Sequence, residues 1–199
     1  MLAVCVMALS VAFDACSTGP FGTAGQQAYA TKLNATMANN PLLSIRIPGA
    51  TAKPKLIVHG AIAGPGSATP AQTAQVMRTW VLTEPPLDIL QSFVTLVVSH
   101  SVTLNHVYCD AHGQTLLRGL QYLAPFTLGF IGTVSPAASI GGHGQEATLQ
   151  IETVADIPTS TPDPLTGMTA PTAPPGGSTP LFAANCPGDV IKEVDAALG

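Results

Sequence analysis

Four nitrogen or sulfur donors, His100, His106, Cys109 and His112, fall within thirteen consecutive positions. Imidazole and thiolate are the donors from which transition-metal centres are built, so the cluster is the first place to look for chemistry. On an extended chain His100 and His106 would share a face but stand about 20 Å apart at roughly 3.3 Å per residue, too far to hold one ion. His106 and His112 can converge only if the chain turns between them, and these two are the candidate metal ligands. The spacing H-x-x-C-x-x-H matches no metal site of known mechanics. The plainer expectation is therefore satisfied core or surface histidines, a half-cystine at Cys109, and no cofactor.

Two other kinds of site can be composed from the residues present. A Ser-His-Asp arrangement needs a nucleophile, a base and an orienting acid, and Ser99 or Ser101, His143 in Gly141-Gly142-His143-Gly144, and Asp156 could supply them; nothing in their spacing selects them. Lys55 to Gly60, KLIVHG, resembles the strand and His-Gly turn that precede the oxyanion loop of α/β-hydrolases, which implies a nucleophilic serine in G-x-S-x-G. No such pentapeptide occurs. Glycoside chemistry needs two carboxylates roughly 5 to 9 Å apart across a cleft, and Glu84, Asp88, Asp110, Glu146 and Glu152 could supply such a pair. Aromatic residues make up only 5% of the chain, few for a sugar-stacking groove, so these acids read as solvated surface. The motifs that cradle phosphates, bind dinucleotides or attach haem are absent from the sequence.

The elements that must position these groups read as mostly extended. From Ser92 to His112 the even positions Val94, Leu96, Val98, His100, Val102, Leu104, His106 and Tyr108 are mostly apolar, while most odd ones, Thr95, Ser99, Ser101, Thr103 and Asn105, are small and polar. A period of two predicts a strand with one face on the core, and the density of Val and Thr favours it over a helix started by Pro85-Pro86. Pro41 to Pro48, Lys55 to Ala63, TLLRGLQYL, FTLGFIGTV and ATLQIETVA read as further strands, and Asp110 to Gly113 as a turn. Thr69-Pro70 carries a helix start signal, with Ala74, Met77 and Val81 at helical spacing after it. A short helical patch is expected around Ala28 to Met37, and Val190, Ile191, Val194 and Leu198 mark a carboxy-terminal amphipathic helix. The expected fold is mainly β: an antiparallel meander or sandwich of about six strands with one internal helix and that carboxy-terminal helix.

Charged residues are only 9% of the chain, against roughly 25% in average soluble proteins, and the formal net charge is −4. Seven Lys plus Arg scattered singly leave no patch to neutralise phosphates, so nucleic acid is excluded as an expected partner. An uncharged, polar surface suits an exported or envelope protein. Leu2 to Phe13, LAVCVMALSVAF, is too short to span a bilayer but fits the core of a signal peptide, and Asp14-Ala15-Cys16 follows. Over residues 1–16 the chain resembles a bacterial lipoprotein precursor. That resemblance implies lipidation of Cys16 and a membrane anchor, although Phe13 and Asp14 stand where the class usually has Leu and a small residue. Cleavage after Ala12, or a buried first element in an unprocessed chain, are the other readings of the same run.

If Cys5 leaves with the signal and Cys16 takes the lipid, Cys109 and Cys186 remain as a pair that an oxidising compartment would join. The expected organisation is a signal peptide at 1–16, a tether at 17–40, a β-rich domain at 41–156, a Pro/Thr/Gly-rich linker or loop at 157–180 and the helical end at 181–199. The expected role is a non-enzymatic binding or assembly component of a cell envelope, anchored to a membrane and meeting other envelope proteins. A periplasmic or secreted metal-dependent or hydrolytic enzyme built on the histidines, and a subunit of a surface polymer or coat, are the alternatives.

Overall fold

The computed structural model describes residues 24–59, 73–140, 143–156 and 182–199. In chain order the elements are α1 (Ala24–Ala38), a 3-10 turn (Pro41–Ser44), β1 (Ala50–His59), β2 (Thr73–Leu82), α2 (Pro86–Ser99), β3 (Val102–Cys109), β4 (Thr115–Leu123), β5 (Phe126–Ser135), β6 (Ala138–Ile140), β7 (His143–Gln145), β8 (Thr148–Asp156), β9 (Phe182–Ala184) and α3 (Gly188–Leu198). Seven strands form one sheet in the order β1-β2-β8-β5-β4-β3-β9, and β6 pairs with β7 in a separate ribbon. Neighbours in the sheet run antiparallel except β9, which lies parallel to β3. The protein is mainly β, as its alternating segments predict. A helical layer, in place of a second sheet, completes the core.

Burial alternates along the strands as a half-covered sheet requires. Phe126, Leu128, Phe130 and Val134 of β5 and Leu149, Ile151 and Thr153 of β8 are buried. Over this face α1 lays Tyr29, Leu33 and Met37, four residues apart and so on one side of the helix. The Tyr29 ring meets Phe126 edge-on at 5.2 Å. Helix α2 adds Ile89, Leu90, Phe93, Val94 and Val97. Phe93 passes so close above Gly132 that a Cβ there would stand 3.0 Å from its ring. In α3, Val194 is buried and Val190 and Ala197 pack against the same core, while Leu198 is turned outward. The tether expected at 17–40 is thus replaced over Ala24–Ala38 by a helix that belongs to the folded unit. The linker expected at 157–180 lies outside the described residues, as do Cys5 and Cys16.

Three elements differ from their sequence-based expectation. Ser92 to Ser99 is helix, and the strand begins only at Val102. Pro86 in the first turn and Asp88 beside the free amides start the helix, and its apolar seam at 89, 93 and 97 is stronger than the alternation that overlies it. The hydroxyls that suggested a wet strand face bond to their own helix: Ser92 Oγ donates to Ile89 O, Thr95 Oγ1 to Gln91 O and Ser99 Oγ to Leu96 O. Conversely the segment expected as a helix after Thr69-Pro70 is strand β2, with Ala74, Val76, Trp80 and Leu82 buried at period two between β1 and β8. Thr69 and Pro70 themselves lie outside the described residues. Among the described residues, Pro41 to Pro48 pairs with no strand. It makes the 3-10 turn and then runs extended with Ile45 and Ile47 buried, so its alternation reports burial without a ladder.

A buried amide pair locks the helical layer to the sheet. Asn40 Nδ2 donates to Gln121 Oε1 at 2.7 Å, and Gln121 Nε2 donates back to Asn40 Oδ1 at 3.1 Å and reaches His100 O at 3.3 Å. Asn40 Oδ1 also accepts from Leu42 N, capping the 3-10 turn. Losing either side chain strands the other's polar atoms away from water. Gln121→Leu and Asn40→Leu are each expected to lower stability by about 1–3 kcal/mol, and the double variant by less than their sum. Urea denaturation of the three variants measures this cycle. Gly119 reports the approach of β3: an added Cβ would collide with Thr103 O and sit 3.0 Å from Leu104 Cα. Gly119→Ala is expected to cost about 1–3 kcal/mol. Gly129→Ala, whose nearest neighbour would be Val154 O at 3.4 Å, is expected to cost distinctly less in the same titration.

Candidate functional site

A bulge in β3 decides which side chains reach the open face of the sheet. Pairing with β4 slips between Leu104 and His106, leaving Asn105 without a partner. Val102 and Leu104 are buried before the slip, and Val107 and Cys109 after it. One extra residue reverses the alternation, so His106 and Tyr108 point away from the core. The expectation that even positions as far as Tyr108 share one interior therefore fails at Asn105.

Register carries His106 into a row that crosses the whole sheet. Phe182 pairs with His106, His106 with Arg118, Arg118 with Ile131, Ile131 with Glu152, Glu152 with Met77 and Met77 with Ile57. Paired residues project to the same side of a sheet, so this row lies on the face that the helices leave open. The next row places Ala184, Tyr108 and Leu116 side by side. Where the two rows meet the β9 edge there is an open pocket of about 390 Å³, lined by His106, Tyr108, Leu116, Arg118, Phe182 and Ala184 among others. Phe182 is 61% exposed and Tyr108 43%.

Each wall has a local cause. The Phe182 ring leans on the His106 ring at 5.4 Å, tilted by 55°. His106 Nδ1 lies 3.0 Å from Asn105 Oδ1, and with that oxygen accepting, the hydrogen belongs on Nδ1. Arg118 is exposed at the pocket floor, and among the described residues it has no ion pair or hydrogen-bond partner. The acid in its row, Glu152, is two strands away, about 10 Å. Its carboxylate already accepts from Gln75 Nε2 at 2.7 Å. The outer wall, β9, is three residues long and is pinned from behind. Cys109 and Cys186 are at disulfide-bonding distance, with Cα atoms 4.7 Å apart. Asn185, in the left-handed region at φ 60°, turns the chain from β9 into that bridge, a conformation Asn tolerates better than most residues.

Among the described residues, those singled out for other chemistry are spread over different elements. His100 closes α2, its Nδ1 2.8 Å from Leu96 O, and His112 sits in the Asp110 turn, donating its amide to Asp110 Oδ1 at 2.8 Å. Among the described residues no group of three or more His, Cys, Asp or Glu could hold a metal. Ser99 is committed to its own helix; the side chains of His143 and Asp156 lie outside what is described, as does Gly60 of KLIVHG. The carboxylates are dispersed: Asp88 in the first turn of α2, Asp110 in its turn, Glu84 packed over Gly49, Glu146 3.9 Å from Lys53 and Glu152 on Gln75. Sequence reasoning missed Arg118, Leu116 and Phe182 as site residues. The pairing of Cys109 with Cys186 was the signal that could have drawn Phe182 toward His106. Set against known proteins, the chain matches no family model and no curated sequence.

The bridge closes a separation of 77 residues, which limits the freedom of the unfolded chain. Replacing both cysteines by Ser is expected to lower stability by about 2–4 kcal/mol. The same change is expected to raise amide exchange at Phe182–Ala184 before it does so in β4 or β5. Denaturation and hydrogen exchange of the double variant check both parts.

Proposed function

We propose that this chain is an exported cell-envelope protein, held at a membrane by a lipid on Cys16, that works as a non-enzymatic binding component through the open face of its sheet. The observation that carries the export half is the position of Cys109 and Cys186, because paired thiols persist in oxidising compartments and are kept reduced in the cytosol. Among the described residues no helix is long and apolar enough to cross a membrane. Attachment is assigned to a lipid because the apolar run Leu2 to Phe13 is followed by Cys16. The binding half is supported by a sheet face bearing exposed Phe182, Tyr108 and Leu120 around a cation, while Ser99, Asp110 and Glu152, among the residues considered for catalysis, are engaged in structural bonds. Between binding and edge-to-edge assembly, the edges favour binding. At one edge β1 is interrupted between Ala52 and Leu56 around Lys53 and Pro54, and at the other β9 is three residues long, both devices that discourage strand addition.

Mass spectrometry of the chain purified from the membranes of an expressing bacterium is expected to show an acylated amino-terminal Cys16. Cys16→Ser is expected to move the protein to the soluble fraction. An intact Met1, or membrane association that survives the Ser substitution, would overturn the anchor.

A further inference from the structure

We infer that the pocket between β3, β4 and β9 binds a small ligand that joins a carboxylate to a flat aromatic body. This rests on the reading of the open face as a binding surface and adds the class of molecule bound. The first argument is charge. Arg118 projects from β4 on the open face, at the pocket floor, and has no acidic partner among the described residues, in a chain whose net charge is −4. A guanidinium is a planar fork whose paired N–H groups match the two oxygens of a carboxylate. Phosphate is a poorer match, because a dianion is usually held by several donors or by a helix amino terminus, and among the described residues this pocket offers one guanidinium and strands.

The second argument is shape. Two of the walls, Phe182 and Tyr108, are large rings left 61% and 43% exposed, and a third, His106, is held against Phe182 at 5.4 Å. Rings grouped in this way offer stacking and edge contacts to a planar guest, with Leu116 filling beside them. A volume of about 390 Å³ suits a small molecule and lies near the lower end of the range for ligand pockets. The third argument is pre-organisation. The Asn105 contact fixes the His106 ring, and the Cys109–Cys186 bridge holds the Phe182 wall, so little order has to be gained when a guest arrives.

The test uses the full-length, oxidised protein and three probes: 2-naphthoate, the neutral 2-naphthylmethanol and inorganic phosphate, each titrated by calorimetry and by NMR shift perturbation. Saturable binding of naphthoate is expected, with shifts centred on His106, Arg118 and Phe182. The alcohol is expected to bind at least tenfold more weakly, and phosphate not to compete. Arg118→Gln is expected to weaken naphthoate roughly tenfold to a hundredfold, the range of a charge-assisted hydrogen bond. Phe182→Ala is expected to weaken both organic probes, and Lys192→Gln on α3 neither. A melting temperature within a few degrees of the parent certifies each variant as folded. Equal affinity for acid and alcohol, competition by phosphate, indifference to Arg118→Gln, or no binding of naphthoate would each overturn the inference. Failure here alongside an acylated Cys16 leaves the envelope reading standing; Arg118-dependent binding by a chain that carries no lipid removes the anchor and keeps the ligand.

Discussion

Two side-chain amides, eighty-one positions apart and sealed from water, hold the helical layer in register with the sheet. Asn40 and Gln121 each give and take a hydrogen bond, and between them they also satisfy Leu42 N and reach His100 O. The turn after α1, the end of α2 and the inner face of β4 are thereby joined at one point. Hydrophobic burial is non-directional: Leu33, Met37, Phe93 and Val97 would be nearly as well buried after a small slide across the sheet. The amide pair forbids the slide, because a displaced partner would leave donors and acceptors unpaired in a dry interior. Everything on the far side inherits that alignment. With Gln121 facing inward, its strand neighbours two apart must do the same, and Arg118 and Leu120 are thrown onto the open face.

Much of the sheet was legible because one covered face writes a period of two into the chain. That held for β5 and β8, whose inward residues are mostly large and apolar, for β4, where Leu117 is the large apolar residue among inward Thr115, Gly119 and Gln121, and for the Asp110 turn, where a carboxylate accepts two backbone amides. It failed where two periods overlapped. In Ser92 to Ser99 alternate Val and hydroxyl residues mimic a strand, while positions 89, 93 and 97 form a helical seam. Hydroxyls that fold back on their own carbonyls remove the polar objection to the helix. In Thr73 to Leu82 the error is reversed: Ala74, Met77 and Val81 fit a helix, and the segment becomes a strand because β1 and β8 flank it. Local propensity is a weak term, and distant pairing outweighed it.

The candidate site was less visible, for a geometrical reason. His106 stood out from its residue type, but the role weighed for it was metal binding, because Cys109 and His112 are its neighbours in sequence. Its neighbours in space come from β4 and β9, and only register can supply them. A single unpaired residue, Asn105, then turned His106 and Tyr108 from the core toward solvent. A bulge of this kind leaves little trace in composition, and without it Tyr108 would have lain where the apolar pattern put it. Arg118 was unremarked because one arginine in an alternating segment reads as a solubilising charge.

The Cys109–Cys186 bond also ties the carboxy-terminal part of the chain to the end of β3 by a route that does not pass along the backbone. A protease that cut once between Asp156 and Phe182 would create a new pair of chain ends, yet the downstream fragment with β9 and α3 would stay covalently joined to the upstream one. Separation would then require two separate insults, hydrolysis and reduction, and a nicked molecule would keep its full mass until the second arrived.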